Sequence, residues 1–316
     1  MTLSITRRRT IVAMAGALAP IACRSSAAAA SPVRLSYQES SVLLQVLRNR
    51  AILEPRLQAL GFTPVWSQLG HSLAELGQVD FQGDVAEAVP VMIHQKLPNL
   101  ILYAAEGPSP RAAGIVVRND GGINGVPMLN RKRVGVAKGG SSFDLLLRSL
   151  HNNGMSLADI EATYLPEAAS SAAFSSGHLD AWATYDPFLS SAETDPRARL
   201  LTDGGSQGLR YDRYYMVDAG FARAHPQVVK AMFDALVEGA AWIRTHPDQA
   251  TTLLSGLWQN MPLEAVRRID SHRNYSVRAI DNTDIPTLQQ IAGRYRAAGV
   301  LPMDPDVASI GIWKAA

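Results

Sequence analysis

The feature that most constrains the fold of this chain is a repeated order of short apolar run, small-residue loop and helical segment. Residues 33–37 (VRLSY), 79–83 (VDFQG), 133–137 (RVGVA) and 160–165 (IEATYL) each precede a longer segment of that kind. Apolar runs of this length before segments with apolar positions three and four apart indicate alternating strands and helices. The alternation predicts an α/β protein with parallel sheet.

A glycine-rich stretch and a change of pattern predict two lobes. Residues 119–127 (NDGGINGVP) separate two α/β units, and the end of the chain is mostly helical in its periodicity. If the late helices return to the first lobe, the chain crosses again within RYYMVDAG. We therefore expect residues 31–118 with 216–316 to form lobe 1 and residues 119–215 to form lobe 2. A single continuous sheet with a helical tail is the alternative.

Residues 1–30 have the three-part organisation of a bacterial export signal. Three arginines precede an apolar run from Ile11 to Ala22, and small residues ending in AAAASP follow. The apolar run is too short to span a membrane as a helix of the mature protein. We expect cleavage near Ala30 and a periplasmic location, with a disordered basic tail as the alternative.

Two details of this leader leave alternatives open. Arg7 and Arg8 allow a twin-arginine export route, although Thr10 stands where such signals usually carry an aromatic residue or Leu. Cys23 is the only cysteine and follows Pro-Ile-Ala rather than a typical lipoprotein sequence, so a lipid anchor there is less favoured. After cleavage near Ala30 the chain would need no disulfide in an oxidising compartment.

The charge balance of the remaining chain argues against a nucleic-acid partner. Residues 1–30 carry four arginines and no acidic residue, which leaves 26 basic against 28 acidic side chains. The excess positive charge therefore belongs to the leader. The sequence contains no His-Glu-x-x-His, Cys-x-x-Cys or carboxylate-rich calcium loop, so it supports no metal site, and we expect no cofactor.

Three predicted strand-to-helix junctions carry residues suited to ligand binding, because such junctions line the carboxyl edge of an open α/β sheet. They are residues 37–41 (YQESS), 81–84 (FQGD) and 139–142 (GGSS). The last offers free backbone N–H groups and a helix dipole, which bind anions without a charged side chain. Lys138 precedes the glycines instead of following them, which excludes a P-loop. An ordinary Ser N-cap after a glycine turn is the alternative.

Two further stretches need a functional and a structural interpretation. Trp182, Tyr185 and Asp186 cluster before a proline, and the two aromatic rings suit either a pocket wall or the core. GGSQG satisfies G-x-S-x-G around Ser206, but a nucleophile elbow needs a helix directly after the serine, and LRYDRYYMV reads as extended. An exported serine hydrolase is therefore a remote alternative. The later histidines, including His272, are predicted at the surface.

These residues resemble the aliphatic-sulfonate-binding proteins of bacterial ABC transporters, a family close to the taurine and nitrate binders. The similar stretches, in the same order, are LSYQ, QGD, RVGVAKGGSSFDLLLRSL, ADIEATYLPEAASSAAFSSGHLDAWATYDPF and AIDNTDIPTLQQIAGRY. The resemblance implies a periplasmic, two-lobed binding protein of type II topology with its ligand in the cleft between the lobes. It also implies a monomer that catalyses nothing, binds no cofactor and delivers a sulfonate to a membrane permease.

The resemblance also implies which residues contact the ligand. From lobe 1 these are Gln38, Gln82, Gly83 and Asp84, and from lobe 2 they are Gly140, Ser141, Ser142, Trp182, Tyr185 and Asp186. Serine hydroxyls and helix-start amides suit the three oxygens of a sulfonate. Trp182 and Tyr185 would form an apolar wall for the alkyl part.

Departures from the family pattern leave the exact ligand open. Gln82 stands where the family usually has Thr, and Tyr185 replaces the commoner Trp. Arg213, or Glu106 with Arg118, could adapt the pocket to a charged or aminated substrate. Taurine, nitrate or a pyrimidine precursor of thiamine are therefore alternatives to an alkanesulfonate.

Overall fold

Two mixed sheets with flanking helices organise the chain in a computed structural model that describes residues 30–68, 79–301 and 305–314. Nearly all of the predicted export signal, including Cys23, lies outside the described residues. No helix within the described part is long and apolar enough to cross a membrane.

The elements follow the predicted alternation. In chain order the strands are β1 (Ser31–Tyr37), β2 (Phe62–Gln68), β3 (Phe81–Ala86), β4 (Leu100–Glu106), β5 (Ala113–Arg118), β6 (Arg133–Val136), β7 (Glu161–Tyr164), β8 (Ala181–Tyr185), β9 (Ala198–Asp203), β10 (Arg213–Asp218) and β11 (Val277–Arg278). The helices are α1 (Val42–Asn49), α2 (Glu54–Ala59), α3 (Ala88–Ile93), α4 (Ser141–Asn152), α5 (Glu167–Ser175), α6 (Phe188–Ala192), α7 (Ala219–Ala224), α8 (Pro226–Thr245), α9 (Pro247–Leu257), α10 (Leu263–His272) and α11 (Asp284–Ala297).

Each lobe is built on one sheet. The lobe 1 sheet has the strand order β11-β4-β10-β3-β1-β2, and the lobe 2 sheet has the order β7-β6-β8-β5-β9. β1 is parallel to β2 and β3, and β6 is parallel to β7 and β8. The chain therefore forms two separate sheets, and the alternative of a single continuous sheet is wrong.

The prediction of parallel sheet holds only in part. β10 is antiparallel to β3 and β4, and β5 is antiparallel to β8 and β9. β5 is the first strand after the chain enters lobe 2, and β10 is the first strand after it returns to lobe 1. The parallel strands of each lobe run towards the cleft, so a strand that arrives from the other lobe starts at the cleft and must run the opposite way.

The two crossings exist, but the predicted lobe boundaries are displaced. β4 ends at Glu106 in the lobe 1 sheet and β5 already pairs in the lobe 2 sheet, so the boundary at 118/119 is one strand too late. Residues 119–127 form a turn, an irregular stretch and the start of a short 3₁₀ helix after β5, and not the crossing. The boundary at 215/216 falls inside β10, which belongs wholly to the lobe 1 sheet.

The lobes also meet through α11, which joins the cluster of buried side chains that includes Phe143 and Leu146 of α4. The Tyr295 hydroxyl on α11 donates to the Gly140 carbonyl at 2.8 Å. Arg294 donates through Nε and Nη2 to the two carboxylate oxygens of Asp144, at 2.8 and 2.9 Å. Hydrogen bonds from α11 of lobe 1 thus hold the first turn of α4 in place.

Candidate functional site

A cavity of about 350 Å³ lies between the lobes, a size within the range of small-molecule sites. From lobe 1 it is lined by Gln38, Ser40, Asp84, Ala86, Val89, Met92 and Arg213. From lobe 2 it is lined by residues 137–141, residues 164–167 and Tyr185, while Tyr211 belongs to the second crossing. The carboxyl ends of β3 and β8 and the junctions after β1, β6 and β7 therefore converge on one space.

The start of α4 opens on this cavity. Gly139 and Gly140 have φ values of 91° and 84°, which side chains rarely tolerate, and a Cβ on Gly139 would lie 2.7 Å from Met92 Sδ across the cleft. The first intrahelical bond runs from Asp144 N to Gly140 O at 3.1 Å, and no side chain caps the helix. The amides before Asp144 thus remain available as donors.

Ser141 adds a hydroxyl to these amides. Its side chain is buried and lines the cavity, and its Oγ makes no hydrogen bond of good geometry to the described residues, although it lies close enough to the Tyr211 hydroxyl to oppose the rise that burial causes in the pKa of Tyr211. A buried polar group without a partner costs free energy, and a bound ligand would remove that cost. The start of α4 therefore presents the kind of neutral donors that an oxyanion accepts from.

The lobe 1 wall carries a buried charge cluster of two acids and two arginines: Asp84, Glu106, Arg213 and Arg273. Arg213 Nη1 donates to Asp84 Oδ1, and Arg273 Nη2 donates to Glu106 Oε1 at 2.6 Å. Arg273 Nη2 also lies 3.7 Å from Asp84 Oδ2. All four side chains are at most 3% exposed, so their charges neutralise one another inside the protein.

Neutral groups hold this cluster in place. The Ser40 carbonyl accepts from Nη1 of Arg273 at 3.0 Å, and the Tyr211 hydroxyl accepts from Nη2 of Arg213 at 2.9 Å. The Tyr215 hydroxyl donates to Glu106 at 3.1 Å. Arg213 Nε is buried without a hydrogen-bond partner among the described residues, which leaves one donor on this wall for a ligand.

Glu167, the first residue of α5, lies in the lobe 2 wall. Its Oε1 accepts from Ser142 Oγ at 3.3 Å, and its Oε2 accepts from Trp182 Nε1 at 3.0 Å and Thr184 Oγ1 at 2.9 Å. Burial raises the pKa of this carboxyl to about 7, although the three hydrogen bonds oppose the shift. Glu167 is therefore an acid that can be neutral at physiological pH.

The remaining wall is largely apolar. Val89 and Met92 face the cavity from lobe 1, and Tyr164, Leu165 and Tyr185 face it from lobe 2. Lys138 is exposed beside the start of α4, and its Nζ lies 5.5 Å from the centre of the Tyr164 ring. The cavity thus combines the free amides at the start of α4 with a largely apolar wall.

Five of the ten predicted ligand residues line the cavity: Gln38, Asp84, Gly140, Ser141 and Tyr185. The other five do not line it, namely Gln82, Gly83, Ser142, Trp182 and Asp186. Direct contact between any of the ten residues and a ligand stays a prediction.

Four of the five residues that do not line the cavity have structural partners or tight surroundings, and Gln82 is the exception. Ser142 and Trp182 each donate a side-chain hydrogen bond to the Glu167 carboxylate. Gln82 is buried with neither side-chain polar atom hydrogen bonded to the described residues. A Cβ on Gly83 would approach the Tyr215 ring to 2.7 Å.

Asp186 does not line the cavity and instead links lobe 2 to α10 of lobe 1. It accepts from the backbone N–H and the hydroxyl of Ser190 in α6, at 3.0 and 2.6 Å. Its other oxygen lies 2.9 Å from His272 Nδ1 on α10. The prediction that His272 is a surface residue is therefore wrong, because its side chain is only 13% exposed and pairs with Asp186.

Sequence reasoning missed Glu167, Tyr211 and Met92 as cavity residues, and it covered Ser40 only as part of the junction at residues 37–41. Glu167 follows β7 at a strand-to-helix junction, so the junction rule that selected Ser141 could also have found it. Arg213, considered as a pocket residue, does line the cavity. Arg118 does not, since it pairs with Asp120 at the far end of β5.

The structure also rejects the hydrolase alternative. Ser206 lies exposed in the turn after β9, and the chain continues without a helix into β10. A nucleophile elbow requires the serine to enter a helix directly. Among the described residues no group of three or more His, Cys, Asp or Glu could hold a metal ion.

A family comparison decides the relationship of this chain. A model of the NMT1/THI5-like family matches residues 74–250, more than half of the sequence. The chain belongs to the NMT1/THI5-like family. A curated relative from Escherichia coli (strain K12), whose name describes binding of aliphatic sulfonates, is 28% identical over 284 residues, 88% of each chain.

Two solved structures bear on the fold of this NMT1/THI5-like protein. The periplasmic aliphatic sulphonate binding protein SsuA from Escherichia coli matches with TM-score 0.82 and 25% identity, over 90% of this chain and 93% of the other. The alkanesulfonate-binding protein SsuA from Xanthomonas axonopodis pv. citri, bound to MOPS, matches with TM-score 0.83 and 27% identity, over 90% and 99%. They confirm the expected family resemblance and the two-lobed α/β fold. Their names describe binding proteins and not enzymes.

Proposed function

We propose that this protein is a periplasmic solute-binding protein that captures an alkanesulfonate, or a related small organic anion, and delivers it to an ABC permease. The observation that carries the proposal is the uncapped start of α4, which opens on the cavity beside the unpartnered Ser141 hydroxyl. The names of the E. coli and Xanthomonas relatives support the choice of a sulfonate as ligand.

The anion would lie at the start of α4. A sulfonate carries one negative charge over three oxygens, each of which accepts hydrogen bonds. The amides before Asp144, the Ser141 hydroxyl and the Gln38 amide group are neutral donors that suit such an ion. Neutral donors and the helix dipole stabilise the charge without a bulky cation at the site.

The organic part would lie against the apolar wall. Met92 and Val89 from lobe 1 and Tyr164 and Tyr185 from lobe 2 offer surface on both sides of the cleft. A volume of about 350 Å³ suits a short alkyl chain or a small ring better than a long chain. Because both lobes supply wall residues, a ligand in this cavity favours the closed arrangement.

Release and export complete the proposal. A permease in the membrane would receive the closed form, and the leader at residues 1–30 would direct the chain to the periplasm, by a general or a twin-arginine route. A monomer suits this cycle because the lobes must move relative to each other. A lipid anchor at Cys23 is the less favoured alternative for the leader.

A thermal-shift screen of the purified mature protein tests the proposed ligand class. The buffer must not be a sulfonate, since MOPS itself is bound by the Xanthomonas relative. Alkanesulfonates of increasing chain length, taurine, nitrate and a thiamine-precursor pyrimidine form the panel. At a ligand concentration about 100 times Kd, the expected stabilisation is about 2.7 kcal/mol. A shift caused only by nitrate or the pyrimidine would overturn the sulfonate assignment.

A further inference from the structure

We propose that Glu167 is a specificity-determining residue that acts in its protonated form, donating a hydrogen bond to the ligand anion, so that capture of a sulfonate takes up one proton. The inference rests on the proposed function, since it concerns the same anion at the start of α4. It differs from that function in assigning the acid on the lobe 2 wall a part in recognition.

The first step is the position of Glu167. It lines the cavity, and its Oε1 is hydrogen bonded to Ser142, the second residue of α4. Ser141, the residue before it, carries the unpartnered hydroxyl of the anion site. An anion bound to the first turn of α4 therefore lies beside the Glu167 carboxyl.

The second step is the absence of a cation for Glu167. Among the described residues no cation pairs with its oxygens, and its partners are the neutral donors of Ser142, Trp182 and Thr184. By contrast, the buried Asp84 on the opposite wall is paired with Arg213.

The other charged and titratable groups around Glu167 do not supply the missing cation. Lys138, before α4, is exposed and lies over the Tyr164 ring, and Tyr185 ends β8 with a pKa that burial raises well above its usual value. Asp144 on α4 is held by Arg148 and Arg294. The cavity is also lined by Tyr211 of the second crossing and by the paired Asp84 and Arg213 of lobe 1.

The third step is the electrostatics of two anions. A sulfonate beside an ionised Glu167 would place like charges together in a site of low dielectric, which disfavours binding. A proton on Glu167 removes that repulsion and converts the carboxyl into a donor for a sulfonate oxygen. Because burial already raises the pKa of Glu167 to about 7, supplying this proton costs little near neutral pH.

The direction of the pH dependence follows. Below the pKa of Glu167 in the free protein the carboxyl is already neutral, and sulfonate affinity is at its full value. Above that pKa Glu167 must take up a proton from solution when the ligand binds, so Kd rises by about tenfold for each pH unit. A ligand with an ammonium group that pairs with the ionised carboxylate would give the opposite trend.

Calorimetric titration with ethanesulfonate at about pH 6 and about pH 8.5, in non-sulfonate buffers of different ionisation enthalpy, tests the proposal. In the wild type we expect Kd to rise at least about tenfold over this range, with uptake of about one proton at the higher pH. Glu167→Gln keeps a donor and an acceptor, so it should bind at the higher pH as it does at the lower.

Glu87→Gln is the matched control. Burial, and to a smaller extent the charge of the neighbouring Asp144, raise the pKa of Glu87 to about 8. Glu87 does not line the cavity. This variant should keep the full pH dependence of binding. If Glu167→Gln does not fold, proton uptake by the wild type still decides the matter.

Three results would overturn the proposal: wild-type binding without proton uptake, affinity that rises with pH, or a pH dependence that persists in folded Glu167→Gln. The absence of ethanesulfonate binding at both pH values would overturn the proposed function as well. Binding that does not vary with pH would overturn the role of Glu167 alone.

Discussion

The two walls of the cleft treat buried charge in opposite ways. On the lobe 1 wall, Asp84 and Glu106 are paired with Arg213 and Arg273, so the wall is electrically balanced without a ligand. On the lobe 2 wall, Glu167 has only neutral donors, beside the open start of α4. Lobe 1 therefore supplies counter-charges for its own buried acids, whereas the buried acid of lobe 2 has none and is neutral only when it holds a proton.

The largest expected effect comes from breaking the balance of the lobe 1 wall. Asp84→Ala leaves two buried arginines with one carboxylate, and an uncompensated buried charge costs about 3–5 kcal/mol of unfolding free energy. Asp120→Ala is the control, because Asp120 pairs with Arg118 but is 71% exposed, and its loss should cost less than about 1 kcal/mol. Urea denaturation measures both, and similar costs for the two variants would refute the distinction.

A medium effect is expected at the start of α4. Ser141→Ala removes a hydroxyl that faces the cavity, and the loss of one hydrogen bond should weaken ethanesulfonate binding by about 1 kcal/mol. Ser149→Ala is a close control, since Ser149 is on the same helix with a buried, unpartnered hydroxyl but does not line the cavity. Titration calorimetry should find unchanged affinity for Ser149→Ala. Equal affinities in both variants would remove the Ser141 hydroxyl from the anion site.

The smallest effect is expected at Lys138. It is exposed beside the anion site, so Lys138→Gln should change Kd by less than about twofold and mainly slow association at low salt. Stopped-flow measurements at two ionic strengths separate these contributions. A loss of affinity as large as that of Ser141→Ala would place the anion on Lys138 instead of on the helix.

Periodicity explains how far the fold could be predicted from sequence. The pattern of RVGVAKGGSSFDLLLRSL predicts a strand, a glycine loop and a helix, and β6 and α4 confirm it. The lobe boundaries could not be located in this way. Glycines indicate a turn but not which sheet the next strand joins. The glycines of residues 119–127 therefore predict a crossing there, whereas the structure has the crossing before Ala113.

The site was predictable where it depends on local geometry and unpredictable where it depends on distant pairing. Gly140 and Ser141 follow from a strand-to-helix junction. Arg213 meets Asp84 from 129 positions away, and this partner leaves no local signal. Ser142 and Trp182 have the expected donor chemistry, but Glu167 uses those donors, and only side-chain packing reveals that.

A crystal structure of the protein with ethanesulfonate would locate the bound anion. We expect sulfonate oxygens within hydrogen-bond distance of the first amides of α4 and of Ser141 Oγ, with another oxygen facing Glu167. A sulfonate bound through Lys138 or Arg213 and remote from the start of α4 would contradict this expectation.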